Sequence, residues 1–224
     1  MVDKVLGAYV LADLAFAATG GVLVGFSIIV KNTMNNAPVD GTEAVENLIY
    51  QEFPLTAGIV NGILVFVTFL LTIPAMITPT RGWLKLSYFF IVSSALFSVI
   101  LGLYMWILTL RTKEDFSPIW DKQTTQIQDL MQTQFACCGY FNSTSPAFVT
   151  DSTCPSPAAA ALMRGCAAPI ASFVNVFVDD LFTGVFGMAG VDLALLLATA
   201  CLLKDRKERA RFRYIDAKVE GRGM

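Results

Sequence analysis

Cysteine is the residue type with the most evident capacity for chemistry in this chain. Four of its five cysteines cluster as the adjacent pair Cys137-Cys138, followed by Cys154 and Cys166. Adjacent cysteines cannot easily bridge each other, so we expect each to form a disulfide with a separate later cysteine, which requires an oxidising compartment. Spacing alone leaves three pairings open. Free thiols and a metal site with four thiolate ligands are the alternatives, but the segment resembles no paired zinc knuckle.

Composition excludes several other kinds of chemistry. The chain has 224 residues, no histidine and a net charge of −2. Without histidine, His-dependent catalytic triads and His-ligated zinc sites cannot form. No nucleophile and base occur at a recognisable spacing, and the basic residues concentrate in a short tail. The sequence therefore predicts no enzyme, no metal and no nucleic-acid partner.

Four long apolar runs must position the cysteine segment. Hydrophobic residues make up 55% of the chain, and its mean hydropathy is +0.60. The runs cover about residues 8–30, 55–77, 84–109 and 181–203, and each reaches the roughly twenty residues that cross a bilayer as a helix. Ala15-Phe16-Ala17 imitates a signal-peptide cleavage site, but apolar sequence continues beyond it, so we interpret the first run as an uncleaved anchor. The predicted fold is an all-α membrane protein with four transmembrane helices.

Basic residues predict the orientation of these spans, because lysine and arginine beside a span are retained in the cytosol. With both termini cytosolic, eleven of the basic residues lie inside and five outside. We therefore expect an integral protein of the plasma membrane. The remaining predicted segments are a cytosolic N-terminus (1–7), a small extracellular loop (31–54), an inner loop (78–83), a large extracellular loop (110–180) and a basic cytosolic tail (204–224).

Helical periodicity recurs within the predicted large loop. Apolar residues recur at helical spacing from Ile127 to Phe135, just before the cysteine pair, and again from Ile170 to Leu181, running into the fourth span. We expect two stalk helices that pack face to face. The stretch 142–164 between them is rich in proline, serine and threonine, which predicts a compact, turn-rich excursion.

Three polar residues, Asp13, Asn61 and Asp192, lie within the predicted spans. A carboxylate in hydrocarbon is costly and normally faces protein or water. One interpretation is that Asp13 and Asp192 are protonated or hydrogen-bonded and hold helices together, while Asn61 donates or accepts across a helix interface. The others are a polar contact inside a lipid or sterol cavity, which would make a sterol or lipid the only bound cofactor, and an ion or proton pathway.

Small residues also recur on the first three spans. They form the patterns Gly21-x-x-x-Gly25, Gly58-x-x-x-Gly62 and Ser94-x-x-x-Ser98-x-x-x-Gly102. Small side chains allow helices to approach closely within a membrane. We therefore expect the first three spans to pack together, with Asp13 on the same face as Ala17, Gly20 and Gly21.

Taken together, these features resemble the tetraspanin family. The resemblance rests on four spans, a small first outer loop, a large second one carrying Cys137-Cys138-Gly139, and a later Gly165-Cys166, and it covers essentially the whole chain. It implies disulfides from Cys137 to Cys166 and from Cys138 to Cys154, with Gly139 allowing the turn after the pair. Further similarity is to the filamentous-fungus tetraspanins associated with appressorium-mediated penetration of plant hosts, in Cys-Cys-Gly-Tyr-x-Asn-Ser-Thr, Thr-Arg-Gly-Trp-Leu-Lys and Leu-Leu-Lys-Asp-Arg-Lys-Glu.

Two modification sites and one recognition surface follow from these assignments. Asn142 begins the sequon Asn142-Ser143-Thr144 and is a predicted glycan acceptor. Cys201 lies at a cytosolic membrane boundary, where the resemblance implies S-palmitoylation. The basic stretch after it is interpreted as a stop-transfer flank, or alternatively as a contact with anionic lipids. Partner contact is expected in the turn-rich excursion and its neighbours, at Tyr140, Phe141 and Phe148.

The resemblance implies a scaffold that organises partner membrane proteins, further copies of itself and lipids into microdomains, in support of polarised growth or host penetration. The alternative is a small transporter, or a lipid- or sterol-handling protein, that uses Asp13, Asn61 and Asp192. A claudin-like barrier protein is disfavoured because the cysteines lie in the second predicted outer loop.

Overall fold

The computed structural model describes residues 2–78 and 80–220, and within them the chain is helical, without strands. Two isolated antiparallel bridges join Asn142 to Ser145 and Thr144 to Ala147. The helices are α1 (Val2–Thr33), α2 (Gly41–Glu52), α3 (Leu55–Ile77), α4 (Arg81–Asp121), α5 (Thr125–Phe135), α6 (Pro157–Leu162) and α7 (Ala167–Glu220).

Four of these helices, α1, α3, α4 and α7, are long and apolar enough to cross a membrane, which confirms the predicted class of fold. Their ends differ from the predicted span ends. Helix α3 coincides with the predicted second span, but α4 continues to Asp121 and α7 runs from Ala167 to Glu220. A bilayer sets the length of the apolar run and not the point at which a helix ends. The segment after 203, predicted as a tail, is therefore helical as far as Glu220.

Burial in these helices is reversed relative to a water-soluble protein. Large apolar side chains such as Leu11, Leu70 and Phe89 are exposed, whereas Asp13, Asn61 and Asp192 are buried. Exposed apolar surface of this extent would be unfavourable in water and is expected against lipid. The burial pattern therefore supports an integral membrane protein independently of hydropathy.

The chain divides into two compact units. The apolar unit consists of Met1–Phe26, Thr56–Ile100 and Val185–Met224, and the cysteine unit consists of Ser27–Leu55 and Leu101–Gly184. In the apolar unit, all four long helices contribute to one core. Its buried members are Tyr9, Phe16, Val65, Ala75, Leu84, Ile91, Leu195 and Leu202.

Helices α1 and α3 approach closely at two glycines of the apolar unit. A Cβ on Gly62 would lie 2.5 Å from Val24 Cγ2, and one on Gly20 would lie 2.7 Å from Val65 Cγ1. Gly62 and Gly20 both belong to predicted small-residue faces, and they lie at this contact, whereas Gly25 of the predicted Gly21-x-x-x-Gly25 pattern does not. A Cβ on Gly25 would meet nothing within 4 Å. Neighbouring residues on a helix are about 100° apart, so a run of glycines does not reveal which one faces the partner.

Substitution of Gly62 by isoleucine is expected to destabilise the apolar unit, because the new side chain would overlap Val24 at the α1–α3 contact. Overpacking of this kind costs roughly 1–3 kcal/mol. Thermal unfolding of the full-length protein in detergent should show a lower melting temperature. Gly25→Ile is the matched control, because the same side chain there enters open space. Equal losses in the two variants would contradict the assigned contact.

Arg206 on α7 caps the end of α3. Its guanidinium donates to the carbonyl oxygen of Ala75 at 2.7 Å and to that of Thr78 at 2.9 Å. The last carbonyls of a helix have no intrahelical donor, and a guanidinium supplies several N–H groups to such a set. Arg209 is paired with Asp205 at 2.8 Å. Two residues of the basic stretch are therefore engaged by the protein itself.

In the cysteine unit, α2 packs along α5. The sequence interpretation treated 31–54 as a loop and missed α2, although its start has a clear signal. Asp40 Oδ1 accepts from Glu43 N at 2.8 Å, and Glu43 Oε2 accepts from Val39 N at 2.9 Å. An acidic N-cap with glutamate three residues later, followed by an apolar run, is typical of a helix start.

Helix α5, the first predicted stalk helix, has neighbours beyond those predicted. It packs along α2 and also meets α7, which contains the second predicted stalk helix, through the rings of Phe135 and Phe173, whose centroids are 5.7 Å apart. The extension of α4 also meets α7, where Thr112 Oγ1 donates to Asn175 Oδ1 at 3.3 Å. Neither the α4 extension nor α2 was predicted, so the sequence analysis could not include these neighbours.

Candidate functional site

The cysteine unit is held by two disulfides. Cys137 is bonded to Cys166 and Cys138 to Cys154, and all four residues are fully buried. These are the pairs that the tetraspanin resemblance implies. Helix α5 ends at Phe135, and the C-cap residue Ala136, with a positive φ of 47°, turns the chain into the cysteine pair. Because the four thiols are consumed, a metal site with four thiolate ligands is excluded. The described residues contain no other group of three or more His, Cys, Asp or Glu side chains that could hold a metal.

Gly139 follows the pair in a conformation that favours glycine. Its φ is +68°, and a Cβ at this position would lie against the carbonyl oxygens of Asn142 and Pro146. The same stretch pairs by backbone with the segment around Cys166. Cys138 N donates to Arg164 O at 3.0 Å, and Cys166 N donates to Gly139 O at 2.9 Å. The turn after the cysteine pair is therefore fixed by both glycine geometry and hydrogen bonds.

Gln132 organises this turn, and the sequence analysis missed it. The side chain is fully buried. Its Oε1 accepts from Gly139 N at 3.2 Å and from Val149 N at 3.1 Å. Its Nε2 donates to Val149 O at 2.8 Å and to the carboxylate of Asp151. A single glutamine on a helix gives no sequence signal of such a role, because its partners are all on the following loop.

Tyr140 does not belong to a partner surface, contrary to the prediction. It is only 1% exposed and packs against the rings of Phe116 and Trp120. Its hydroxyl donates to Lys113 O at 2.8 Å. Burial raises the pKa of the phenol, so it remains protonated and can keep donating. The unpredicted extension of α4 supplies Phe116 and Trp120 and is the reason for this burial.

The other two predicted contact residues differ from each other. Phe148 is partly buried and packs against Cys138, Cys154 and Ala160. Phe141 is 49% exposed. Of the three predicted aromatic residues, Phe141 alone is exposed.

Further apolar side chains of the cysteine unit are exposed between residues 162 and 176, a segment whose backbone pairs around Cys166 with the stretch just before Phe141. Leu162, at the end of α6, is 89% exposed, and Met163 and Val176 are also exposed. A shallow groove extends from Arg164 to Val176 along the first turns of α7. Backbone bonds place Tyr140 beside Ala167 and Cys138 beside Arg164. We call Phe141, Leu162, Met163 and Val176 the apolar patch of the cysteine unit.

The predicted modification sites are accessible. Asn142 is exposed, and its Oδ1 accepts from Thr144 N at 2.9 Å and from Thr144 Oγ1 at 2.8 Å. Cys201 is a free, exposed cysteine on α7. Accessibility is necessary for glycosylation and for palmitoylation, so both sites stay predictions.

Two of the three polar residues of the spans each have a hydroxyl partner. Asn61 Nδ2 donates to Ser98 Oγ at 3.0 Å. Asp13 instead accepts from Thr72 Oγ1 at 2.8 Å. Thr72 and Asn61 are separated by roughly 16 Å along α3, given a rise of about 1.5 Å per residue. Asp13 and Asn61 therefore belong to separate polar clusters.

The two disulfides cross-link a subdomain that presents an exposed apolar patch. In the apolar unit, buried polar side chains form hydrogen bonds between helices. The tetraspanin resemblance rests on this chain's own motifs. No family model, curated protein or solved structure matches the chain.

Proposed function

We propose that this protein is a tetraspanin-type membrane scaffold, which gathers other membrane proteins, further copies of itself and lipids into microdomains. In this proposal the cysteine unit faces the outside of the plasma membrane and both termini are cytosolic. The similarity to fungal tetraspanins suggests a role in polarised growth or host penetration. Lateral binding, rather than a reaction, is the activity.

The observation that carries the proposal is the exposed apolar patch on a unit stapled by disulfides. Leu162 and Phe141 lie outside the apolar runs of the predicted spans, so a lipid bilayer does not account for their exposure. Burial of one such side chain in an interface contributes about 1.5–3 kcal/mol. Large apolar side chains on a rigid support are typical of the centre of a protein interface. Two disulfides supply that support and reduce the conformational freedom lost on binding.

The transporter alternative has weaker support in the apolar unit. A pathway would need its polar groups to follow one another, whereas Asp13 and Asn61 are bonded to separate hydroxyls, those of Thr72 and Ser98.

The double substitution Phe141→Ser and Leu162→Ser tests the scaffold. We expect proximity labelling in the native membrane to recover the normal neighbours several-fold less, with self-association measured in parallel by cross-linking. Both disulfides should still form, because Leu162 is 89% exposed and Phe141, whose ring contacts Tyr140, is outside the buried core. Val39→Ser is the matched control, since Val39 is 84% exposed in the same unit but outside the apolar patch. If the double variant keeps the normal neighbours and self-association, the apolar patch is not the recognition surface.

A further inference from the structure

A cavity of about 380 Å³ lies within the cysteine unit. It is lined by the stretch 34–38 before α2, by one face of α2, and by residues 123–130 at the start of α5. Pockets that bind small molecules typically have volumes of about 300–1,000 Å³. The cavity is therefore large enough for a small ligand.

The lining of this cavity is polar but carries no charge. Fourteen residues line it, and none of them is Asp, Glu, Lys or Arg. The chain has thirteen carboxamide residues, seven asparagines and six glutamines. Six of the thirteen line the cavity, namely Asn35, Asn36, Asn47, Gln51, Gln123 and Gln126. The fold thus gathers nearly half of its carboxamides around one small space.

One of these carboxamides is nearly buried and has unused hydrogen-bonding capacity. Asn47 is only 5% exposed. Its Nδ2 makes a single long hydrogen bond, to Asn36 O at 3.5 Å. Its Oδ1 accepts from no other described residue, and it is not among the atoms that the protein encloses completely. A buried carbonyl oxygen normally has a donor, and here a ligand in the cavity can supply one.

Two exposed carboxamides of the lining are also unbonded. The side chains of Asn35 and Gln51 make no hydrogen bond with another described residue. Gln51 lies one turn after Asn47 on the same face of α2. The cavity therefore presents donors and acceptors that the fold itself does not use.

The chemistry of these groups restricts the ligand. A carboxamide has one oxygen acceptor and two N–H donors and is neutral at physiological pH. A hydroxyl group likewise donates and accepts without carrying a charge. Apolar side chains of the same lining, such as Leu48 and Ile127, can contact the C–H groups of a sugar ring. The lining therefore matches a neutral saccharide.

Other classes of ligand match this lining less well. An ionic ligand would meet no opposite charge among the lining side chains. An apolar ligand such as a sterol would remove carboxamides from water without giving them partners, which is costly. The recurring modes of peptide recognition use a sheet edge, a mainly apolar groove, aromatic side chains or an arginine cluster. This lining provides none of them.

We propose that the cavity binds a neutral saccharide, either one sugar residue or the end of a glycan. The carboxamides of Asn47 and Gln51 donate to its hydroxyl groups and accept from them, and the stretch 34–38 and α5 supply the remaining contacts. No residue of the cavity belongs to the apolar patch. The site therefore goes beyond the proposed scaffold function and does not depend on it.

Saturation-transfer difference NMR on the full-length protein tests this site. The detergent must have no sugar head group, because a maltoside would compete for the cavity. The probes are the methyl glycosides of glucose, mannose, galactose and N-acetylglucosamine. We expect at least one of them to bind the native protein. Gln51→Leu should weaken its binding roughly three- to ten-fold, the equivalent of one neutral hydrogen bond.

Gln134→Leu is the matched control and should bind the same glycoside as tightly as the native protein. Gln134 is an exposed glutamine of the same unit, but it does not line the cavity. Asn47→Leu should weaken binding at least as much as Gln51→Leu. If Asn47→Leu does not fold, Gln51→Leu still decides the question, because the side chain of Gln51 is exposed and unbonded.

Several outcomes would overturn the site. They are the absence of binding by every neutral glycoside, full binding in Gln51→Leu, and loss of binding in Gln134→Leu. Preferential binding of glucuronic acid, or of a blocked serine-glycine tetrapeptide, would assign the cavity to an anion or a peptide instead. Displacement of the bound glycoside by a soluble N-linked oligosaccharide would support a protein glycan as the source of the sugar, and displacement by a glycolipid would support a lipid head group.

Discussion

Replacement of both Cys137 and Cys166 by serine is expected to unfold the cysteine unit around the pair. The bridge joins residues 29 positions apart. By loop-closure entropy, a cross-link of this length contributes about 3–4 kcal/mol. A unit with a small core has little other stability with which to offset that loss. Limited proteolysis of the full-length protein should show rapid cleavage within 142–165, a segment that the native protein should protect.

The second bridge provides an internal comparison. Cys138 and Cys154 are only 16 positions apart, so their loop-closure contribution should be smaller by about half a kcal/mol. The double variant Cys138→Ser, Cys154→Ser should therefore be cleaved faster than the native protein, but no faster than the double variant Cys137→Ser, Cys166→Ser. Cys201→Ser is the control, because Cys201 is exposed and outside the cysteine unit. Native resistance in both double variants would show that the bridges are not what holds the unit together.

Gln132→Leu should destabilise the same unit while leaving both disulfides intact. Leucine has a similar size but cannot replace the four hydrogen bonds of the amide, so Gly139 N, Val149 N and Val149 O lose their partner. Each buried group left unsatisfied costs about 1–3 kcal/mol, so the three together predict a loss of about 3–9 kcal/mol. Hydrogen exchange of the Gly139 and Val149 amides should accelerate by orders of magnitude.

Gln126→Leu is the matched control for this experiment. Gln126 lies on the same helix, α5, but its side chain is exposed. The same chemical change there should leave amide protection at Gly139 and Val149 unaltered. If Gln132→Leu also left it unaltered, the amide would be a minor contact and the disulfides with Gly139 would be sufficient to fix the turn.

The elements that the sequence predicts are those that one local property of the chain determines, such as the length of an apolar run or the periodicity of apolar residues. Apolar length determined the four spans, and helical periodicity before the cysteine pair determined α5. Cysteine spacing did not choose a pairing, because that choice depends on where the chain after Cys138 returns to Cys166. It returns by backbone pairing between Gly139 and Cys166, a non-local contact that no local pattern encodes.

Errors arose where one helix determines the environment of a distant residue. Tyr140 was assigned to a surface because it lies in a turn-rich segment, yet the end of α4 covers it. Gln132 has four partners, all beyond the end of its helix. Asp13 and Asn61 were considered together because both are polar residues within spans, and only the three-dimensional contacts separate them. The start of α2, by contrast, was readable from Asp40 and Glu43.

The contact of Arg206 with α3 determines where this chain can be shortened or labelled. From its sequence, the segment after residue 203 could be taken for a basic tail that can be removed. The guanidinium of Arg206, however, donates hydrogen bonds to the carbonyl oxygens of Ala75 and Thr78. A truncation at Lys204 would therefore uncover the end of a different helix, far away in sequence. Reporter proteins and affinity tags belong beyond Glu220, where they leave that contact in place.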